Sequence, residues 1–222
     1  MSNTVRRGNA ILEGLAARER HAIFAVAAQV SLRPGEVICA FGKEIKHVYF
    51  PRQGVISLFA VSKGAPNVGV GIVGGSGMFG LGVAVGETKS HLLALAQGDG
   101  TADRIETDAF VGLLSACPSL RDALFAYSQR VSNQLARNVV CVARHRARIR
   151  LARWMLDITT ASRLTKFSST QEATAIALGL QRPAVSYAAS ALQRLGLISY
   201  LRGEVTILDR KGLKALACKC SA

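Results

Sequence analysis

Acidic residues are scarce in this 222-residue chain, where 14 Asp and Glu stand against 28 Lys and Arg, a formal net charge of +14. The shortage is local. From Pro118 onward there are 17 basic and 5 acidic residues, whereas residues 1–117 hold 11 and 9. A positive field confined to one half points to a polyanion met by that half, ahead of a solvated basic surface kept for solubility. Cysteine is sparse as well: Cys39, Cys117, Cys141, Cys218 and Cys220 make an odd number with no C-x-x-C pair. That argues against a secreted disulfide framework and suits a reducing cytoplasm better. Cys218-x-Cys220 offers two thiols, but metal binding needs two further ligands that no nearby residue supplies, so a free dithiol and no metal are expected. The four histidines (His21, His47, His91, His145) are scattered, without a nucleophile–base motif, a phosphate loop or metal-ligand spacing. No enzyme is expected.

Long hydrophobic runs are nearly missing too. The longest charge-free stretch, Gly64 to Gly86, has seven glycines between Val68 and Val85. These break it into short strands and turns, so no membrane span is expected. Ala22–Val30 lies behind Arg18, Glu19 and Arg20, and it reads as an amphipathic helix rather than a leader. Half the residues are apolar and 19% are charged, the balance of an ordered chain with room for a real core.

Three textures follow one another. Residues 10–30 read as short helices, with Ile11, Leu12, Leu15, Ile23, Phe24 and Val26 at helical spacings. From Leu32 to about Ala109, short β-rich runs alternate with turn residues: Arg33-Pro34-Gly35-Glu36, then Val37-Ile38, then His47-Val48-Tyr49-Phe50 ended by Pro51, then Val55–Phe59. Such spacing suggests a β-sandwich or barrel. Cys117-Pro118-Ser119 opens a long helix, with proline in its first turn. Its stripe Leu120, Leu124, Tyr127, Val131, Leu135, Asn138, Val142 recurs every three or four residues, with no glycine or proline inside. Such a stripe usually packs on its own domain, but its length, and a polar Asn138 that could set its register, favour a dimer seam. A second helix is expected over residues 146–161.

Residues 167–210 carry the densest local information. Ser169-Thr170-Gln171-Glu172 has the capping-box form with Ser169 as cap, and Leu178-Gly179-Leu180 makes a turn. Gln181-Arg182-Pro183 opens the next helix. Its buried stripe is Val185, Ala188, Ala189, Leu192 and Leu195; Gln181, Arg182, Ser186, Tyr187, Ser190 and Arg194 are left outside. Gly196–Tyr200 and Val205–Leu208 then alternate like strands around Arg202-Gly203. Two short helices, a glycine turn and a hairpin fit a winged helix-turn-helix that enters the DNA major groove. An αα-hairpin inside a helical bundle has the same pattern.

Thr170-Gln171-Glu172, Leu178-Gly179, Arg182, Val185-Ser186, Leu192-Gln193, Gly196-Leu197-Ile198, Tyr200, Arg202-Gly203 and Ile207-Leu208-Asp209-Arg210 resemble the C-terminal domain of Crp/Fnr-type regulators. Upstream, Pro34-Gly35-Glu36, Gly42, His47–Pro51, Gly54 and Gly77-Met78-Phe79-Gly80 resemble the β-roll effector domain of that family. The resemblance covers nearly the whole chain in order. It implies an α+β architecture: a jelly-roll-like β-roll of cyclic-nucleotide-binding type with N-terminal helices (1–117), a dimerisation helix (118–145) and a winged helix-turn-helix (146–222). It further implies a bacterial, cytoplasmic homodimer that binds double-stranded DNA at an inverted repeat, with RNA polymerase as a further partner and an unknown small-molecule effector in the roll. Ser169, Gln171, Gln181, Arg182, Ser186, Tyr187 and Arg202 become the expected DNA contacts. Met78, Phe79, Gly80, Leu81, His91 and Leu92 become the expected effector pocket.

The chain also departs from the family pattern. Where the phosphate cassette has a glutamate after its glycine, Leu81 stands, and the expected arginine falls near Leu92. A ribose hydroxyl wants a carboxylate and a cyclic phosphate wants a guanidinium, so cyclic AMP is not expected. No cysteine cluster precedes Cys39, which leaves an iron–sulfur sensor without ligands, and Cys39 with His47 reads as a buried thiol and a strand-end histidine rather than a haem pair. Pro183 replaces a glutamate usual in the second helix and Tyr187 an arginine, so no familiar operator carries over. The reading from another class is an effector-binding or protein-interaction module without nucleic-acid function.

Overall fold

The computed structural model describes residues 8–220. Asn9 caps the short helix α1 (Ala10–Glu13) through its side-chain oxygen, while its amide donates to the carbonyls of Pro51 and Gly77 at 2.9 and 2.8 Å. Helix α2 (Ala17–Val26) leads into β1 (Ala28–Leu32), β2 (Val37–Cys39), β3 (His47–Gln53), β4 (Ile56–Ala60), β5 (Val68–Val73), β6 (Leu93–Ala96) and β7 (Gly100–Glu106). These strands form two antiparallel sheets, ordered β1-β7-β3 and β2-β6-β4-β5. They make the expected β-roll. Pro51 does not end its strand as expected. β3 lies at a sheet edge, where a missing N–H is tolerated, and continues to Gln53 past a register shift.

The roll core gathers Phe50, Ile56, Met78, Ile105 and Phe110, all at most 2% exposed. Helix α3 (Thr107–Ala116), which the sequence reading overlooked, closes one end of it. Helix α4 (Pro118–Arg144) follows at an angle of 108°, with Pro118 in its first turn as the composition suggested. Its stripe is divided, and this corrects the expected dimer seam. Leu120, Leu124 and Tyr127 are buried against the chain's own roll, Val131 packs beside them, and the Asn138 amide donates to the Val70 carbonyl at 3.1 Å. Only Leu135 and Val142 of that stripe face outward, together with Phe125, Val139 and Val140.

Beyond α5 (Ala147–Ser162) come β8 (Lys166–Ser168), α6 (Gln171–Leu178), α7 (Arg182–Arg194), β9 (Ile198–Leu201), β10 (Glu204–Ile207) and α8 (Arg210–Leu216). A second core joins this region to the roll. Val55, Phe59, Ile72, Leu93 and Leu95 point out of the β4–β5–β6 sheet and pack among Leu151, Met155, Ile158, Leu192 and Val205. The alternate residues Ile56, Val73, Ala94 and Ala96 point inward, so strand alternation serves a different core on each face.

Close approach explains Gly69 in β5 and Gly74 just after it. A Cβ at Gly69 would lie 2.3 Å from the Ala177 carbonyl oxygen, and one at Gly74 would lie 2.4 Å from that of Ala161. The charge-free stretch is therefore a smooth ledge for α5 and α6. Among the described residues no single helix is long and apolar enough to cross a membrane.

Candidate nucleic-acid interface

Helix α6 starts one residue later than the capping-box pattern suggested. Thr170 is the cap, its hydroxyl accepting from the Ala173 N–H at 3.0 Å. Ser169 is 4% exposed and turns inward, so it is withdrawn from the DNA-facing set. Its hydroxyl accepts from the Gln97 side-chain amide at 3.3 Å and pairs with Thr174 Oγ1 at 2.9 Å. Thr174 Oγ1 pairs with the Tyr200 hydroxyl at 3.0 Å, and that hydroxyl donates to the Ser169 carbonyl at 2.8 Å. Gln97 in turn accepts from Ser57 at 2.8 Å, and the Tyr200 N–H donates to Gln193 Oε1 at 2.8 Å. One polar path thus runs from the roll sheet through α6 and β9 to the last turn of α7. Burial pushes the Tyr200 hydroxyl up against the opposing hydrogen bond with Thr174, which keeps it protonated as a donor. Sequence reasoning missed this path, because its partners lie up to 72 residues apart.

Gly179 adopts φ +57 at the end of α6, and its N–H bonds back to Ala175 and Ile176. This left-handed residue lets the chain reverse into α7 within three residues. Gln181 caps α7 by backbone geometry, with Pro183 in the first turn. Val185, Ala188, Ala189 and Leu192 are buried as read from the spacing, but Leu195 is exposed, because the helix ends at Arg194 before its stripe does. Gln181, Arg182 and Tyr187 lie on the open side, Tyr187 being 78% exposed, and Ser186 and Gln171 are half-buried beside them. The hairpin β9–β10 turns through Arg202 and Gly203, with φ +49 and +80. Two successive left-handed residues form the tight turn whose twist suits a two-residue hairpin, and they hold Arg202 at an exposed tip. Arg182, Tyr187 and Arg202 therefore present donors and a ring on the open face of a winged helix-turn-helix. No acidic side chain lies on the exposed face of α7.

The six residues expected to line an effector pocket lie in different settings. Met78, Phe79 and Gly80 are buried in the roll core, and Gly80 takes φ +90 with Val48 pressed where a Cβ would be. Leu81 opens a 3₁₀ turn (Leu81–Val85), while His91 is exposed and paired with Glu87 at 3.4 Å. Leu92 is half-buried, its carbonyl accepting from Ser90 at 2.7 Å. A cavity of about 320 Å³ opens where the Gly74–Gly77 turn meets α4, lined by Tyr127, Arg130, Gln134 and Arg137 among others. Cys39, 8% exposed, directs its thiol to the carbonyls of Ala40, Lys43 and Glu44, and burial pushes it up.

Residues 149–216 match the Crp-like helix-turn-helix domain, and residues 29–117 match the cyclic nucleotide-binding domain. No curated relative matches the chain in sequence. Among solved structures, FixK2 from Bradyrhizobium japonicum superposes with a TM-score of 0.72 at 18% identity, covering 87% of this chain and 98% of that one. A Crp/Fnr-family transcriptional regulator from Thermus thermophilus gives 0.68 at 23% identity, over 86% and 98%. The c-di-GMP-responsive global regulator CLP of Xanthomonas campestris gives 0.68 at 15%, over 86% and 99%. At these identities the likeness is one of fold.

Proposed function

Because this chain belongs to the Crp/Fnr family of DNA-binding transcription regulators, we propose that it acts as a homodimer on an inverted-repeat site, under a signal other than cyclic AMP. The observation that carries the reading is the open face of α7 beside the Arg202 tip, set in the basic half of the chain. Arg182 reaches a base edge or phosphate from the first turn of α7, Gln181, Ser186 and Tyr187 flank it, and Arg202 meets backbone phosphate. Gln171 lies where the first helix crosses the backbone. Exposure of this face favours DNA over an interaction module that uses the roll alone.

The dimer seam is the outward stripe of α4. Phe125, Leu135, Val139 and Val142 follow a heptad spacing filled in by Ser128 and Ser132, and such a stripe is half of a coiled coil. Two winged helices joined this way would read half-sites about 34 Å apart. In the roll, Leu81 and Leu92 supply neither carboxylate nor guanidinium. Cyclic AMP is therefore not the signal, and no iron–sulfur or haem group enters the reading. RNA polymerase is the natural further partner of a regulator held at a promoter.

The test is a titration of the full chain on selected and scrambled DNA over a salt series. Binding should weaken steeply with salt, with log K falling by about 0.9 per phosphate neutralised for each tenfold rise in salt, and a selected site should hold over scrambled DNA. Equal, salt-insensitive binding to both, or none, would return the chain to the interaction-module reading.

A further inference from the structure

The joint between α4 and α5 carries a group of side chains that DNA binding does not use. His145 caps the C-terminal end of α4, and its backbone N–H donates to the Cys141 carbonyl at 3.1 Å. Cys141 and His145 are one helical turn apart and so share a face. The chain returns to this corner much later. After α8 ends at Leu216, Cys218 Sγ comes to 3.6 Å from Cys141 Sγ, 77 residues away, and Cys220 Sγ to 3.1 Å from His145 Nε2, 75 residues away. The donor atoms of His145, Cys218 and Cys220 all lie within 4.8 Å of one another. The two further ligands that Cys218-x-Cys220 lacked in sequence are supplied here by the end of α4.

We propose that this corner binds one zinc-class divalent cation through Cys141, His145, Cys218 and Cys220. A tetrahedral zinc with Zn–S near 2.3 Å and Zn–N near 2.0–2.1 Å sets its sulfurs ~3.8 Å apart and sulfur to nitrogen ~3.5 Å. The two close separations lie within a few tenths of an ångström of those values; Cys141 touches the cluster through Cys218 alone and has to turn its thiol inward to become the fourth ligand. Three thiols and an imidazole, without a carboxylate, form a donor set that takes zinc and rejects magnesium or calcium. All four residues are half-buried, sheltered yet open to an entering ion. Binding exchanges three thiol protons for the cation and leaves one net negative charge on the site. Arg150 bears on Cys141, and Arg153, itself paired with Asp157 at 2.9 Å, bears on Cys218, so the charge is offset in part. The cation ties the segment after α8 to the last turn of α4, at the point where the chain bends into α5. It thereby fixes the angle between the long helix and the winged helix.

Cobalt(II) is the probe. The reduced, metal-free full chain is titrated without oxygen, and the near-ultraviolet and visible spectra are recorded. The expected result is a thiolate-to-cobalt charge-transfer band with intense visible bands of tetrahedral cobalt, saturating at one equivalent and bleached by zinc. Cys218→Ser with Cys220→Ser should abolish these bands, whereas Cys39→Ser with Cys117→Ser should keep them. A weak octahedral spectrum, bands that survive in the Cys218/Cys220 variant, or bands lost in the Cys39/Cys117 variant with its circular dichroism intact would overturn the site. So would a reduced chain that takes up no metal and, in air, forms a Cys141–Cys218 disulfide. None of these readouts depends on DNA.

Discussion

Arg182 and Arg202 are both exposed and both cationic, yet the backbone gives them different work. Arg182 belongs to the first turn of α7, the place proposed for a base contact; Arg202 is held at a hairpin tip by two left-handed residues. Arg182→Ala should cost about 1–3 kcal/mol on the preferred site and relax the preference at one base pair per half-site. Arg202→Ala should weaken every sequence alike and lower the salt slope by about one. Comparing both variants on preferred and scrambled DNA at several salt concentrations separates the two, and identical losses would assign both residues to phosphate. The exposed arginines, the start of α7 and the glycine turn were all legible in the sequence, since each rests on local chemistry. Ser169 was not. Two adjacent hydroxyls compete for one cap, and the winner is decided by Gln97, from a strand end 72 residues upstream.

At the scale of elements, periodicity told that α4 has a buried side, not what buries it. Leu120, Leu124 and Tyr127 satisfy a coiled-coil pattern and a domain core equally well, and the roll claims them first. The outward face offers the cleaner dimer test, because Leu135 and Val139 are 44% and 69% exposed in the single chain. Leu135→Glu with Val139→Glu should leave the fold intact while burying charge at a seam, and light scattering should then report a monomer. A dimer of undiminished mass would move the interface off this helix. Helices α3 and α8 escaped the reading for a related reason. Each is short, carries an internal glycine (Gly112, Gly212) and adjoins a strand, so its own signal is weak and packing decides it.

Across the whole molecule, the ledge of β5 helps make the roll and the winged helix one packed body. Gly69→Val would drive a side chain into the Ala177 backbone, which cannot yield as a flexible side chain would. The variant should lose about 1–3 kcal/mol, and its calorimetric melt should split into separate roll and winged-helix transitions. An unchanged single transition would show that α6 and β5 do not hold the halves together. The two-faced sheet also has a consequence in time. On the ribosome the roll can close its inner core once α4 has emerged, but Val55, Phe59, Ile72, Leu93 and Leu95 must wait for residues 151–217 before they are covered. At about 5–20 residues per second that wait is on the order of ten seconds. For that interval the nascent chain carries a finished domain with an oily flank, and a chaperone's best chance to hold this protein falls there.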